Sequence, residues 1–363
     1  MEKGGESLKI LYFYKFCVLG GVTTQLANRL KFLRHHSEVH FAFLEDYGGA
    51  SAFEGYEHVR ILGTVEEIKS YIAAYNFDVI ISIDTYELYE ALGPVEEGKV
   101  IIHEVHTTYS EPLQKLAHSK DSLPFHYVIT PSAYMKGYLH SIGIVGAFHI
   151  NNCLDTDLFQ YEADTEQRPA TILWVGKLDD HKNWSSYLNI AGKLNARMPE
   201  LQFMLVGGYT APDEIKNQLM VKVEQQGIKH FKWIPKVDYD EMQSYYSSVA
   251  QSGGIYVSTT INESFGMTVL EAMACRCPVV VPSVGALPEL LDGPLNVSLY
   301  ESGNEAECVD RLITLLERNA LREDLKSLGE QKARTTYSIE QVGREYMELL
   351  ERCKEERLIS NKC

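Results

Sequence analysis

Short apolar runs of strand length recur along this chain, and most of them do not alternate with polar residues. KILYFY (residues 9–14), VHFAF (39–43), HVRIL (58–62), DVIISI (78–83), KVIIHEV (99–105), HYVIT (126–130) and GAFHI (146–150) follow one another through the first half. A strand with one wet face reads apolar, polar, apolar. A near-continuous run must be covered on both faces, as in a parallel sheet with helices on either side. Helix-like segments such as TTQLANRLKFLRHH (23–36) and SAYMKGYLHSIG (132–143) lie between the runs. Strands alternating with helices imply right-handed crossovers and a doubly wound sheet. The pattern lapses in the polar stretch CLDTDLFQYEADTEQRP (153–169), then restarts in TILWVG, LQFMLVGG, HFKWI, GGIYVST and PVVVPS. The end of the chain reads as helix throughout. The expectation is an α/β protein with two doubly wound parallel-sheet domains, residues 1–151 and 170–336. Residues 152–169 would form a linker, and a terminal helix within 337–363 would cross back to the first domain. Open sheets bind ligands beyond the carboxyl ends of their strands, so two such halves would face a shared cleft.

The charge balance narrows the partners. The formal net charge of -16 argues against a sequence-independent nucleic-acid binder, which needs clustered cations. One local basic face is visible in Arg29, Lys31, Arg34, His35 and His36, so peripheral membrane contact stays open. The plainer reading is that these cations suit a helix C-terminus. Seven scattered cysteines in a chain of 363 residues read as reduced thiols. Cys275 and Cys277 form C-x-C with no matching pair, so small core residues are the expectation there rather than a metal site. The N-terminal residues lack the apolar stretch and cleavage site of a signal peptide, and no run approaches 18 apolar residues. A cytoplasmic protein is expected.

The segment NESFGMTVLEAM (262–273) concentrates the chemistry. It follows the strand GGIYVST and opens a helix, for which Ser264 is the expected N-cap. The backbone N–H groups of Phe265, Gly266, Met267 and Thr268 would then form an anion site, with Gly266 permitting close approach. Glu263 sits just ahead of the helix and Glu271 about two turns inside it. Carboxylates accept hydrogen bonds from vicinal hydroxyls, so one such group would lie on either side of a phosphate. The alternative is that both acids merely favour the helix dipole. Gly20 and Gly21, after the first strand, would allow a diphosphate or sugar near a helix start. In IIHEVHTTY, His103-Glu104-x-His106 continues a strand and lacks the helical spacing of a zinc site. His103 is expected to be packed, and His106, at the strand end, to face the ligand. Asp155 to Asp157 lies in the linker and is not expected to hold a metal.

Several motifs in order, ESFGMTVLEAMACRCPVVVPSVGALPEL, ILWVGKLDDHKNWSSYLNIAGKL, PSAYMKGYL and NNCLDTDLF, resemble the E-x7-E signature and neighbouring segments of family 4 glycosyltransferases with the GT-B fold. The resemblance implies that Glu263 contacts the donor sugar beside the reacting centre and that Glu271 holds the ribose hydroxyls. Lys177 and Lys182 would neutralise the diphosphate, His106 would contact the sugar, and backbone groups near Ile234 would meet the nucleobase. The family usually has Arg where Lys177 stands, which costs the planar fork. It commonly has glycine where Arg276 stands, which implies a different turn, an added cation, or a solvated surface residue.

The function this implies is retaining, metal-independent transfer of a sugar from a nucleotide-diphosphate donor to an acceptor hydroxyl, with no cofactor. The acceptor, whether carbohydrate, lipid-linked or a small molecule, is not legible. Two rivals are a nucleotide-sugar-binding scaffold without turnover and a nucleotide-sugar epimerase of the same fold. Donor hydrolysis separates the first from a transferase, and the product formed from donor alone separates the second.

Overall fold

The computed structural model describes residues 7–92, 99–163, 166 and 168–360, which leaves Cys363 outside the described residues. The chain divides into two compact units. One contains the residues up to Cys153 together with those from Tyr337 on, and the other is Leu154–Thr336.

The first unit carries a seven-stranded sheet. Its strands are β1 (Leu8–Cys17), β2 (Ser37–Asp46), β3 (Val59–Ile61), β4 (Val79–Ile83), β5 (Val100–Glu104), β6 (Tyr127–Thr130) and β7 (Phe148–His149). Their order is β3-β2-β1-β4-β5-β6-β7, and every pairing is parallel. Alternate residues of one run feed opposite cores. Ile10 and Tyr12 of β1 join Phe41, Ile81 and Ile102 against the helices Gly21–Leu33 and Ile339–Ser360. Leu11 and Phe13 join Ala42, Ile80 and Ile101 on the other side. Both faces are dry, which is why the runs do not alternate.

The second unit has β8 (Thr171–Val175), β9 (Gln202–Val206), β10 (Phe231–Ile234), β11 (Ile255–Val257), β12 (Val279–Pro282) and β13 (Leu299–Tyr300) in the parallel order β10-β9-β8-β11-β12-β13. The edge strand β13 escaped the sequence reading, because Asn296, Ser298 and Glu301 break up any apolar run around it. In both sheets the order reverses beside the first strand of the unit, β1 and β8, so the carboxyl ends of β1 and β4, and of β8 and β11, flank the topological switch points.

The segment 152–169 is pinned at its start, and two expectations need correction. Cys153 donates its N–H to Gln25 Oε1 at 3.0 Å and accepts from Asn28 Nδ2 at 3.1 Å. Phe159 is buried against Tyr239 and Tyr246. The Asp155 carboxylate accepts the N–H groups of Asp157 and Leu158, so it closes its own turn. Arg29 does not belong to a basic surface face, being fully buried with its guanidinium on Glu104. Finally, Ser264 is not the N-cap. The helix is Met267–Ala274 and Gly266 caps it at φ 107. A Cβ there would sit 2.7 Å from a Leu287 methyl, so Gly266 answers to its own backbone and to packing.

Arg276 stands just beyond that helix at φ 56, the left-handed region that favours glycine. Its side chain lies 3.7 Å from Glu330 and over the Tyr161 ring at 5.5 Å. The backbone strain costs an L-residue ~1–2 kcal/mol, while a half-exposed ion pair returns less than ~1 kcal/mol. Arg276→Gly is therefore expected to raise the unfolding free energy by about 0.5–1 kcal/mol in urea titration. A loss of stability would show that the Glu330 and Tyr161 contacts outweigh the strain.

Candidate active site

In the second unit two loops leave the carboxyl ends of the adjacent strands β8 and β11, and backbone hydrogen bonds hold them together. Ile261 donates its N–H to the His181 carbonyl at 2.9 Å. The Thr259 hydroxyl meets the Lys182 carbonyl at 3.1 Å and accepts from Trp174 Nε1 at 3.0 Å. Asp179 Oδ1 accepts the Lys182 N–H at 2.8 Å, which fixes the turn that launches Lys182. The Lys182 ammonium then reaches Glu263, with Nζ 2.6 Å from Oε2 and the two side chains 28% and 18% exposed. Lys182 and Glu263 are 81 residues apart in sequence, and the switch point brings them together.

The Glu263 backbone is held as firmly as its side chain. Its N–H donates to Asn262 Oδ1 at 2.8 Å, and its carbonyl accepts from Ala286 at 2.9 Å. Gly285, at φ 56, lets this happen, since a Cβ there would lie 2.1 Å from the Glu263 carbonyl oxygen. The helix Met267–Ala274 follows, with Val269 and Leu270 bonded to the Gly266 carbonyl. The N–H groups of Met267 and Thr268 precede any intrahelical acceptor, as in the first turn of any helix. Phe265 is buried, Met267 and Thr268 are half-buried, and the Thr268 hydroxyl meets Tyr256 OH at 2.9 Å. Lys177 is exposed two residues beyond β8. Together these groups can stabilise a negatively charged leaving group, through an oriented ammonium and a helix N-terminus.

Glu271 sits deeper. It is buried, and one carboxylate oxygen accepts the Tyr246 hydroxyl at 3.0 Å. Burial pushes its pKa up to about 8, and the Tyr246 hydrogen bond only partly opposes this. Ile234 ends β10, and its carbonyl already accepts the Gly207 N–H at 2.9 Å, so one of its two lone pairs is taken. Trp233 donates Nε1–H to the Gly207 carbonyl at 3.0 Å, which ties down the strand end.

In the first unit, the glycine loop and the histidine strand end at the carboxyl edge of the sheet. Gly20 precedes the helix Gly21–Leu33 in extended conformation at φ 178. A Cβ on Gly21 would meet nothing within 4 Å, and one on Gly20 only the Val18 oxygen at 4.0 Å. Unlike Gly266 and Gly285, this pair is not required by the protein's own packing. Gly21→Ala should therefore fold with unchanged or slightly higher stability. If a ligand approaches there, it should lose at least about tenfold in kcat/KM with donor, roughly 1.4 kcal/mol. Full activity with full stability would remove the loop from the site.

His103 is packed as expected, with Nδ1 2.6 Å from Tyr89 OH, and burial lowers its pKa to about 4. His106 is buried, with Nε2 2.7 Å from Glu104 Oε1 and its backbone N–H 3.2 and 3.1 Å from the two Asp84 oxygens. Burial alone would raise the Glu104 carboxyl, but Arg29 and His106 outweigh it and bring the pKa to about 2. Burial raises Asp84 to about 6 despite His106 beside it. Sequence reasoning passed over Glu104 and Asp84. The available signal was an acid at a dry strand end between two histidines, which has to be paired if buried.

Residues 157–332 match the family model of the glycosyl transferases group 1. A sucrose synthase of Melioribacter roseus is 26% identical over 176 residues, 46% of this chain and 22% of its own length. The chain thus spans under a quarter of that relative, and 29% of a sucrose synthase 2 from Arabidopsis thaliana. A phosphatidyl-myo-inositol mannosyltransferase of Mycobacterium tuberculosis is 25% identical over 288 residues, 73% of this chain and 71% of its own length. A solved structure of Anabaena HepE in complex with UDP and glucose aligns with a TM-score of 0.81 at 16% identity, covering 95% of this chain and 99% of that one. That likeness shows a shared fold, two Rossmann-like parallel-sheet units of the GT-B type.

Proposed function

We propose, from the match of residues 157–332 to the family model of the glycosyl transferases group 1, that this protein transfers a sugar from a nucleotide-diphosphate donor to an acceptor hydroxyl. The observation that carries the reading is the Lys182–Glu263 pair at 2.6 Å, held beside the open first turn of Met267–Ala274. A leaving nucleoside diphosphate gains charge as its bond to the sugar breaks, and a preoriented ammonium with helix N–H groups stabilises that charge best when already in place. Lys177, exposed on the same loop, adds a second cation. These groups support departure of the diphosphate without a metal. Glu263 would accept sugar hydroxyls, and Glu271 the ribose hydroxyls.

The chemistry is a substitution at the anomeric carbon. The bond from that carbon to the diphosphate oxygen breaks, a bond to the acceptor oxygen forms, and the acceptor's proton passes to the leaving phosphate. Attack on the face the diphosphate leaves from retains configuration. Uridine is the first base to test, since the Anabaena relative was solved with UDP and with UDP-glucose.

The test is a melting panel of UDP, GDP, ADP and their sugars. A ligand at a hundred times its dissociation constant adds ~2.7 kcal/mol of stability. One base series should shift the transition and the others should not. A panel in which no nucleotide shifts it would count against the reading.

A further inference from the structure

A buried charged cluster of the first unit, formed by Arg29, Glu104 and Tyr346, converges on His106. The Arg29 guanidinium, from the helix Gly21–Leu33, lies 2.6 Å from Glu104 Oε1 and 2.9 Å from Oε2, with both side chains 1% exposed. Tyr346, from the helix Ile339–Ser360, donates its hydroxyl to Glu104 Oε2 at 3.1 Å, and the guanidinium stacks over the Tyr346 ring at 4.2 Å. Glu104 Oε1 also receives His106 Nε2 at 2.7 Å. Two guanidinium nitrogens, Nε and Nη2, have no hydrogen-bond partner among the described residues. A buried pair with donors left over contributes little net stability compared with an apolar replacement, so stability alone is a poor account of it.

Its geometry has a more specific consequence. Glu104, kept ionised by Arg29, is an acceptor only. The His106 nitrogen facing it must therefore carry the proton, which makes Nδ1 the acceptor of the neutral ring. Asp84 meanwhile holds the His106 main chain through its N–H. Side chain and backbone are thus clamped by two acids from neighbouring strand ends.

We propose that Glu104 is a positioning residue, which with Arg29 and Tyr346 fixes the His106 ring in the Nε2-protonated tautomer and leaves Nδ1 to accept a substrate hydroxyl. The assignment of a sugar hydroxyl to that nitrogen rests on the proposed transfer function, but the tautomer does not. The two can therefore fail separately.

The test is a long-range proton–nitrogen spectrum of the full chain, labelled with ¹⁵N-histidine and free of substrate. The His106 signals are identified by their loss in His106→Gln. The expected wild-type pattern is one ring nitrogen protonated and one not, with the proton on Nε2. In Glu104→Gln the ring should become a mixture of tautomers, and Arg29→Lys, which keeps the charge, should move it less. An Nδ1-protonated ring in the wild type would overturn the proposal even if neither variant folds, and so would His106 signals unchanged in folded Glu104→Gln.

Discussion

Lys182→Ala is expected to lower the rate of donor cleavage at least ~30-fold, the equivalent of ~2 kcal/mol of transition-state stabilisation. The argument rests on preorganisation. The ammonium is already held at 2.6 Å from Glu263, and the Asp179 side chain fixes the turn that delivers it. No reorganisation is then needed when the diphosphate departs. Because the pair is partly exposed, its loss should cost stability less than ~1 kcal/mol, so the kinetic effect should appear in a protein of nearly normal melting temperature. Initial rates of donor hydrolysis measure it without an acceptor. A variant that turns over at the wild-type rate would remove Lys182 from the site.

Glu271→Gln should abolish a pH dependence of stability. Its folded pKa of about 8 lies above the ordinary carboxyl value of 4.5. Between those values the folded state holds a proton that the unfolded state has released. Stability from this group is therefore present below the unfolded value and is lost as pH rises toward 8, with a slope approaching ~1.4 kcal/mol per pH unit. Urea titrations of wild type and variant across pH 5–8 should diverge in that direction, and parallel curves would mean that Glu271 is charged in the empty protein. The same group links function to pH. Ribose hydroxyls donating to the carboxylate would favour its charged form, so nucleotide binding should release a proton, visible as a buffer-dependent heat in calorimetry. The variant should bind nucleotide more weakly and release none.

These expectations differ in how far the sequence alone could support them. The strands of both sheets were legible wherever both faces are buried, as in DVIISI and TILWVG. At Leu299–Tyr300 the flanking Ser298 and Glu301 leave no run to read, whereas the equally short Phe148–His149 lies inside GAFHI. Glu263 was legible from its place ahead of a helix, but Lys182 entered through resemblance, because no spacing rule connects residues on separate crossovers. Arg29 looked like part of a solvated basic face, since nothing local marks a helix cation whose partner is 75 residues away. Ser264 had the right chemistry for a cap, but Leu287 packing against Gly266 and the positive φ there decided the helix start. The burial of Glu271 on Tyr246 likewise depends on how the helix Met242–Gln251 packs, which periodicity does not report.

The most direct test of the donor site is a crystal structure with the nucleoside diphosphate that shifts melting most. The diphosphate should lie within hydrogen-bonding reach of Lys182 Nζ and of the Met267 and Thr268 amides, with the ribose on Glu271. A diphosphate bound away from that helix start and out of reach of Lys182 would contradict the account.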